Sequence, residues 1–245
     1  MLKNKNVVII GARTGIGLET LKIFAENNAN IFAFIKKDDT EFLAVCEDLK
    51  KKYNSQIKVY TLDLTNENEI KPVILNFLAE IKEIHVCVNT AAILKFGLTE
   101  MTKQEETKKI FQINFFSQVQ ILQLIVKKMK KNKGSIINFS SSSNLSFPIG
   151  TASYASSKAA LETYSKILSK ELGRFNIRVN VIQPGLVDTE SMKKTHSDKI
   201  ISNEIEKISL KKIANVRDIA NLVLFLASEN SSHINGEIIK INGGI

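Results

Sequence analysis

Tyr154 and Lys158 stand four residues apart, a spacing that puts both side chains on one face of a helix. A free tyrosine has a pKa near ~10, too high to trade protons efficiently at neutral pH. An ammonium held a few ångströms away favours the phenolate, so the two can work as a tuned acid and base. Moving the phenol down by about three units takes roughly 4 kcal/mol, which a cation in a partly dry cleft can supply. Ser141 follows the apolar run Ser135–Phe139, where a hydroxyl can hydrogen-bond a substrate oxygen. A solvated helix surface carries the same Tyr and Lys spacing, so the pair gains meaning only from its company.

That company begins with Gly11, Arg13, Thr14, Gly15, Ile16 and Gly17, directly after the apolar run Val7–Ile10. Gly11 permits a tight turn, Gly15 lets the backbone approach a pyrophosphate, and Gly17 lets a helix pack close to the strand. The helix start then offers free N–H groups and a partial positive charge to phosphates. A purely structural turn is the plain alternative; the place after the first strand favours a dinucleotide. The second strand ends Ile35-Lys36-Lys37, with no acid to hold ribose hydroxyls. Cations there, helped by Arg13, suit a 2′-phosphate, so NADP is the preferred coenzyme and NAD the possible one. Asp38, with Glu41 three residues on, reads as a helix capping box. Asp63, followed by Leu64, either bonds the adenine amino group or caps the helix near Glu67.

The elements that must position these residues alternate. Candidate strands are Asn6–Ile10, Asn30–Ile35, Lys58–Leu62, His85–Asn89, Ser135–Phe139, Arg178–Ile182 and Glu237–Ile241. Several are apolar almost without a break, as strands buried on both faces are. Helical patterns lie between them at Thr20–Glu26, Glu41–Lys52, Glu67–Ile81, Gln104–Lys130, Tyr154–Gly173 and Arg217–Ala227. Alternation of this kind predicts one α/β domain over residues 1–245, a doubly wound Rossmann-type parallel sheet of about seven strands with helices on both faces. Ligands of such sheets sit beyond the carboxyl ends of the strands, where the chemistry-bearing residues fall. The polar and apolar mixture from Thr189 to Ile213, with Met192, Ile200, Ile201 and Ile205, predicts a mobile lid over a partly apolar pocket.

Composition removes other classes. The 34 Lys and Arg against 25 Asp and Glu give a net charge of +9, but aromatics do not interleave with the basic runs, so nucleic acid is not expected. Cys46 and Cys87 lie in apolar segments and read as packing residues. His85, His196 and His233 are scattered, and no metal site is suggested. Neither a membrane span nor a signal peptide is legible, and a cytoplasmic protein is expected.

Taken together, the motifs resemble the classical short-chain dehydrogenases/reductases nearly end to end. Gly11–Gly17 is similar to the family's TGxxxGIG loop, with Ile10 in place of its threonine, and Asn89-Thr90-Ala91-Ala92 resembles its NNAG segment. Asn114 falls where the family keeps an asparagine, and Ser141 lies 13 residues before Tyr154, as the family's serine does. Pro184 and Gly185 with Val187 and Thr189 resemble the segment near the nicotinamide amide, and Asn235-Gly236-Glu237 and Asn242-Gly243-Gly244 the family's tail. The resemblance implies hydride transfer between a nicotinamide and a carbonyl or secondary alcohol. Tyr154 then handles the proton, Lys158 lowers its pKa and bonds the nicotinamide ribose, Ser141 polarises the carbonyl, and Asn114 links Lys158 to solvent through water. It also assigns coenzyme contacts to the glycine loop, Lys36, Asp63, Leu64, Asn89, Ala91 and the Pro184–Thr189 segment. Thr90, Ala92, Thr14 and Asn144 depart from the family pattern; Thr90 and Ala92 alter a segment that braces the central sheet.

Within the family the chain most resembles β-ketoacyl-(acyl-carrier-protein) reductases, which implies a carrier-bound or small carbonyl substrate. Lys127, Lys128, Lys130, Lys131 and Arg174 are the cations for carrier docking, or else a solvated helix face. The long helices at Gln104–Lys130 and Tyr154–Gly173 form dimer faces in relatives, so a homodimer or homotetramer is expected. The rival readings are a reductase of a sugar or other small metabolite, a sugar-nucleotide epimerase or dehydratase, which wants a larger C-terminal domain, and a non-catalytic dinucleotide sensor.

Overall fold

Seven apolar runs form seven parallel strands in the computed structural model, which describes residues 1–195 and 197–245. His196, one of the three histidines and part of the expected lid, lies outside the described residues. The strands are β1 Asn6–Ile10, β2 Asn30–Ile35, β3 Gln56–Thr61, β4 Val86–Asn89, β5 Gly134–Phe139, β6 Ile177–Pro184 and β7 Ile238–Ile241. Their order across the sheet is β3-β2-β1-β4-β5-β6-β7, and every neighbouring pair is parallel. The order reverses between β1 and β4, which opens a crevice at their carboxyl ends. The single α/β domain expected from the alternation is this doubly wound sheet.

Helices cover both faces because each strand buries side chains on both sides. On one face, α1 (Gly15–Glu26), α2 (Thr40–Tyr53) and α10 (Val216–Ala227) bring Leu21, Phe24, Phe42, Val223 and Leu226 against Val7, Ile9 and Ile31. On the other, α3 (Glu67–Glu80), α5 (Ser117–Met129) and α7 (Ala152–Gly173) bring Ile70, Phe77, Ile121, Ile125 and Leu168 against Val8, Ile10 and Ile136. Phe34, Tyr60 and Phe77 form an aromatic cluster with ring centroids 5.0–5.3 Å apart. Cys46 and Cys87 are buried packing residues, and burial pushes their thiols up to about 11 and about 12.

Four local expectations are corrected. The helix expected over Gln104–Lys130 is α4 (Gln104–Phe111) and α5, joined by a π-helical turn at Gln112–Phe116. The wider turn sets Asn114 into the interior, where its amide is held by the backbone of Ile93. The helix after the glycine loop begins at Gly15 rather than Thr20. Asp39, not Asp38, caps α2, its carboxylate accepting from Phe42 N at 2.9 Å. Asn66 rather than Asp63 caps α3. The segment expected as a lid forms α8 (Glu190–Thr195) and α9 (Asp198–Lys207), and α6 (Ser143–Ser146) is a single turn that packs on α7. No helix among the described residues is long and apolar enough to cross a membrane.

Candidate active site

A cleft of about 460 Å3 opens at the reversal point, lined by Gly11, Arg13, Thr14, Gly15, Ile16 and Gly17 together with Lys36, Asp63, Leu64, Ala91 and Thr189. The glycines are there for space. Gly11 has φ +88°, and a Cβ on it would lie 2.7 Å from Ala91 N. A Cβ on Gly17 would lie 2.1 Å from the carbonyl oxygen of Gly11, so the first turn of α1 sits against the loop as no other residue allows. Thr14 makes no side-chain cap, which leaves the first N–H groups of α1 facing the cleft. A cradle cleared of side-chain atoms at a helix start fits the diphosphate of a dinucleotide.

The cations and acids at the rim are paired with each other. Lys36 lies 3.3 Å from Asp63, and Arg13 pairs with Asp39. Asp63 also accepts from Thr65 N at 2.9 Å and Thr65 Oγ1 at 2.8 Å. Burial opposes ionisation of Asp63, but the Thr65 and Lys36 bonds outweigh it and lower its pKa. Thr189 closes over the loop, its methyl 3.3 Å from where a Gly15 Cβ would be, and its Oγ1 accepts from Met192 N to start α8.

Tyr154 and Lys158, also expected on the coenzyme, do not line this cleft, and neither do Asn89, Pro184, Gly185 and Val187. Asn89 is buried and donates to Asn138 Oδ1 at 2.6 Å. Gly185 backs onto Asn242, whose Cα would be 2.9 Å from a Cβ there, and Val187 bridges to Ala214. These residues hold the strand ends in place behind the cleft. Thr90, expected to alter the bracing here, supplies a brace of its own: its hydroxyl bonds the carbonyl oxygens of Ile10 and Gly11 at 2.9 and 3.0 Å. Lys109, on α4, also lines the cleft and was not singled out in the sequence. Only the docking of α4 reveals it, since it belongs to an ordinary basic helix surface by pattern.

Ser141 and Tyr154 come together beyond the end of β5, and Lys158 reaches the last carbonyl of that strand. Ser141 is near enough to Tyr154 to pull its pKa down, and its Oγ donates to Ser143 Oγ at 3.1 Å and accepts from Ser143 N at 3.2 Å. Lys158 is 1% exposed, and its Nζ donates to the carbonyl of Phe139 at 2.8 Å. Asn114 Nδ2 donates to Ile93 O at 3.0 Å and Ser157 Oγ at 3.1 Å, while its Oδ1 accepts from Ile93 N at 2.9 Å. Asn114 therefore anchors the loop beside the cleft to α7, with both amide hydrogens engaged. The electrostatics differ from the expectation that Lys158 lowers the phenol. Burial is the larger influence on Tyr154 and raises its pKa, with Ser141 pulling the other way. Burial also pushes Lys158 down to about 8, partly opposed by Glu162. With its Nζ on a carbonyl, the ammonium of the free protein is engaged by the backbone. Among the described residues no three His, Cys, Asp or Glu side chains are gathered as a metal ion requires.

A parallel sheet with a glycine cradle at its reversal point, and Ser141, Tyr154 and Lys158 past the end of β5, defines an oxidoreductase that uses a nicotinamide dinucleotide. A family model described as enoyl-(acyl-carrier-protein) reductase matches residues 11–245. The chain is 33% identical to the 3-oxoacyl-(acyl-carrier-protein) reductase of Chlamydia trachomatis over 100% of this chain and 98% of the relative. It is 32% identical to a 3alpha-hydroxysteroid dehydrogenase of Mediterraneibacter gnavus, over 99% and 97%. Among solved structures, a short-chain dehydrogenase/reductase from Serratia marcescens superposes with a TM-score of 0.91 at 23% identity, covering 99% of this chain and 98% of that one. The chain belongs to the short-chain dehydrogenase/reductase family.

Proposed function

We propose that this protein is an NADPH-dependent reductase of 3-oxoacyl thioesters, taking substrate bound to an acyl carrier. The placing of Ser141 against the Tyr154 phenol, on the helix that also carries buried Lys158, is the observation that carries the reductase chemistry. The substrate class rests on the full-length likeness to a 3-oxoacyl-(acyl-carrier-protein) reductase. An apolar hollow of about 370 Å3 at the start of α7, lined by Phe147, Pro148, Ile149, Ala155 and Ala159, supports it by offering room for hydrocarbon.

Bound in the cradle, the coenzyme supplies a hydride to the carbonyl carbon. Ser141 and Tyr154 both reach the carbonyl oxygen, and their hydroxyls polarise it before any bond is made. Tyr154 then delivers its proton to that oxygen. Lys158, freed from Phe139 O to face the ribose and the phenol, offsets the burial that otherwise holds the phenol too high. Asn114 fixes the Ile93 loop and Ser157 so that Tyr154 and the cradle keep their spacing. Lys36 and Arg13 meet the 2′-phosphate at the end of β2; Arg13 must exchange Asp39 for it. Thr189 and α8 close the lid on the nicotinamide side.

The steroid dehydrogenase relative favours a second reading at similar identity, a reductase of a compact ketone. Parallel kcat/KM measurements on a 3-oxoacyl carrier thioester and a 3-ketosteroid, each with NADPH and NADH, separate the two. We expect the thioester with NADPH to lead by at least about 10-fold. Equal or better turnover of the steroid overturns the thioester assignment, and an advantage for NADH overturns that of the coenzyme. A cytoplasmic homodimer or homotetramer completes the proposal.

A further inference from the structure

The chemistry above leaves unused a polar cluster that the fold assembles behind Lys158. Glu162 stands four residues beyond Lys158 on α7, as Lys158 stands beyond Tyr154, so phenol, ammonium and carboxylate follow one another along one helix face. Its Oε1 is held from two strands: Ser140 Oγ donates to it from the end of β5, and Gln183 Nε2 donates at 2.8 Å from β6. Asn144 Nδ2 steadies Ser140 Oγ at 3.0 Å. Ser140 directly follows Phe139, whose carbonyl receives Lys158, so one strand end grips both the ammonium and the carboxylate. Ser140 and Gln183 are buried, and Gln183 Oε1 and Asn144 Oδ1 have no hydrogen-bond partner, which adds to the negative character of the cluster.

We propose that Glu162 is a positioning residue whose carboxylate, fixed by Ser140 and Gln183, keeps the Lys158 ammonium charged in its dry site and thereby sets the upper pH limit of the proton donor. The proposal rests on the reductase reading for its catalytic consequence. Among the described residues, the side chains that hydrogen-bond this stretch of α7 from its neighbours are neutral: Asn114 on Ser157, Thr107 on Ser153, and Ser140 and Gln183 on Glu162 from the sheet. On α7 itself Tyr154 and Glu162 are the titratable neighbours, and Glu162 is the acid that acts on Lys158. A buried lysine loses its proton readily, and an opposite charge within a turn of helix counters that.

The test has two arms. In the free protein labelled with 13Cε-lysine, the Lys158 resonance, assigned by its loss in Lys158→Met, is titrated by NMR. In the reduction assay, the high-pH fall of kcat is recorded. Glu162→Gln should move both to lower pH by about half a unit or more, while Glu162→Asp, which keeps the charge, stays close to the parent. If Glu162→Gln melts below the assay temperature, Ser140→Ala removes one tether and should shift both in the same direction by less. A folded Glu162→Gln, or Ser140→Ala in its place, with an unmoved lysine titration overturns the proposal, because a merely structural role lowers activity without moving that titration. A shifted titration with no turnover of any carbonyl instead sinks the reductase reading and leaves the coupling of the two residues standing.

Discussion

Lys158 is an expensive residue where it lies. Its side chain is 1% exposed, and burial holds it at about 8, well below an ordinary lysine, a cost on the order of 3 kcal/mol at neutral pH. The unfolded chain retains an ordinary lysine, so between about 8 and about 10.4 the unfolded state binds more protons than the folded one, and stability rises with pH across that window. Lys158→Met should therefore melt roughly 5 °C higher than the parent at pH 7 and lose that slope, checked by thermal melts from pH 7 to 10.5. The same variant should be inactive, since the phenol then has burial raising its pKa and no cation against it. Tyr154→Phe separates proton transfer from folding. It should lower kcat by at least about 100-fold and leave the coenzyme Kd within about twofold, read by stopped assays and fluorescence titration. Activity near the parent in that variant removes the tyrosine from the mechanism.

At the scale of the element, the cradle depends on α1 starting hard against β1. The Cβ that alanine would add at Gly17 falls 2.1 Å from Gly11 O and 2.7 Å from Thr90 Oγ1, so the helix start must move away from the loop. Gly17→Ala should weaken coenzyme binding by at least about 10-fold and cost about 1–3 kcal/mol of stability, measured by titration and urea unfolding. The π-helical turn between α4 and α5 is the matching device on the other bank. It carries Asn114 inward to Ile93 and Ser157, and a continuous helix from Gln104 would carry the side chain past them. The 3.6-residue pattern of Gln104–Lys130 gives no sign of the extra residue in that turn. What forces it is the match between the Asn114 amide and a backbone loop 21 residues earlier.

At the scale of the whole molecule, the helices beside the site leave apolar side chains exposed. Phe116, at the π-helical turn, and Ile167, on α7, are 53% and 55% exposed on neighbouring elements, and Phe111, Phe115 and Tyr164 extend the surface. Burial of such side chains against a second copy stabilises association by about 25 cal/mol per Å2, whereas the net charge of +9 opposes it at low salt. Sedimentation at physiological salt should show a dimer or tetramer, and Phe116→Glu should shift the population toward monomer. A parent protein that sediments as a monomer at micromolar concentration ends that expectation.

The strand sequence, the helix order, the glycine loop and the Tyr154–Lys158 spacing are legible without coordinates because each is a local pattern: period, turn chemistry and i,i+4 geometry are written in neighbouring residues. Arg13, Lys36 and Asp63 were also legible as rim residues, but their partners were not. Asp39 is 26 residues from Arg13, and Asp63 is 27 from Lys36. Lys109 joined the cleft, and Asn89 and Val187 stood behind it, only when helices and strand ends were docked. Glu162 lies in plain sight one turn past Lys158, yet its meaning comes from Ser140 and Gln183 on two strands that meet in space. Pairing across the sheet and the dielectric around a charge depend on what the chain brings together from far apart, and the tertiary structure alone decides them.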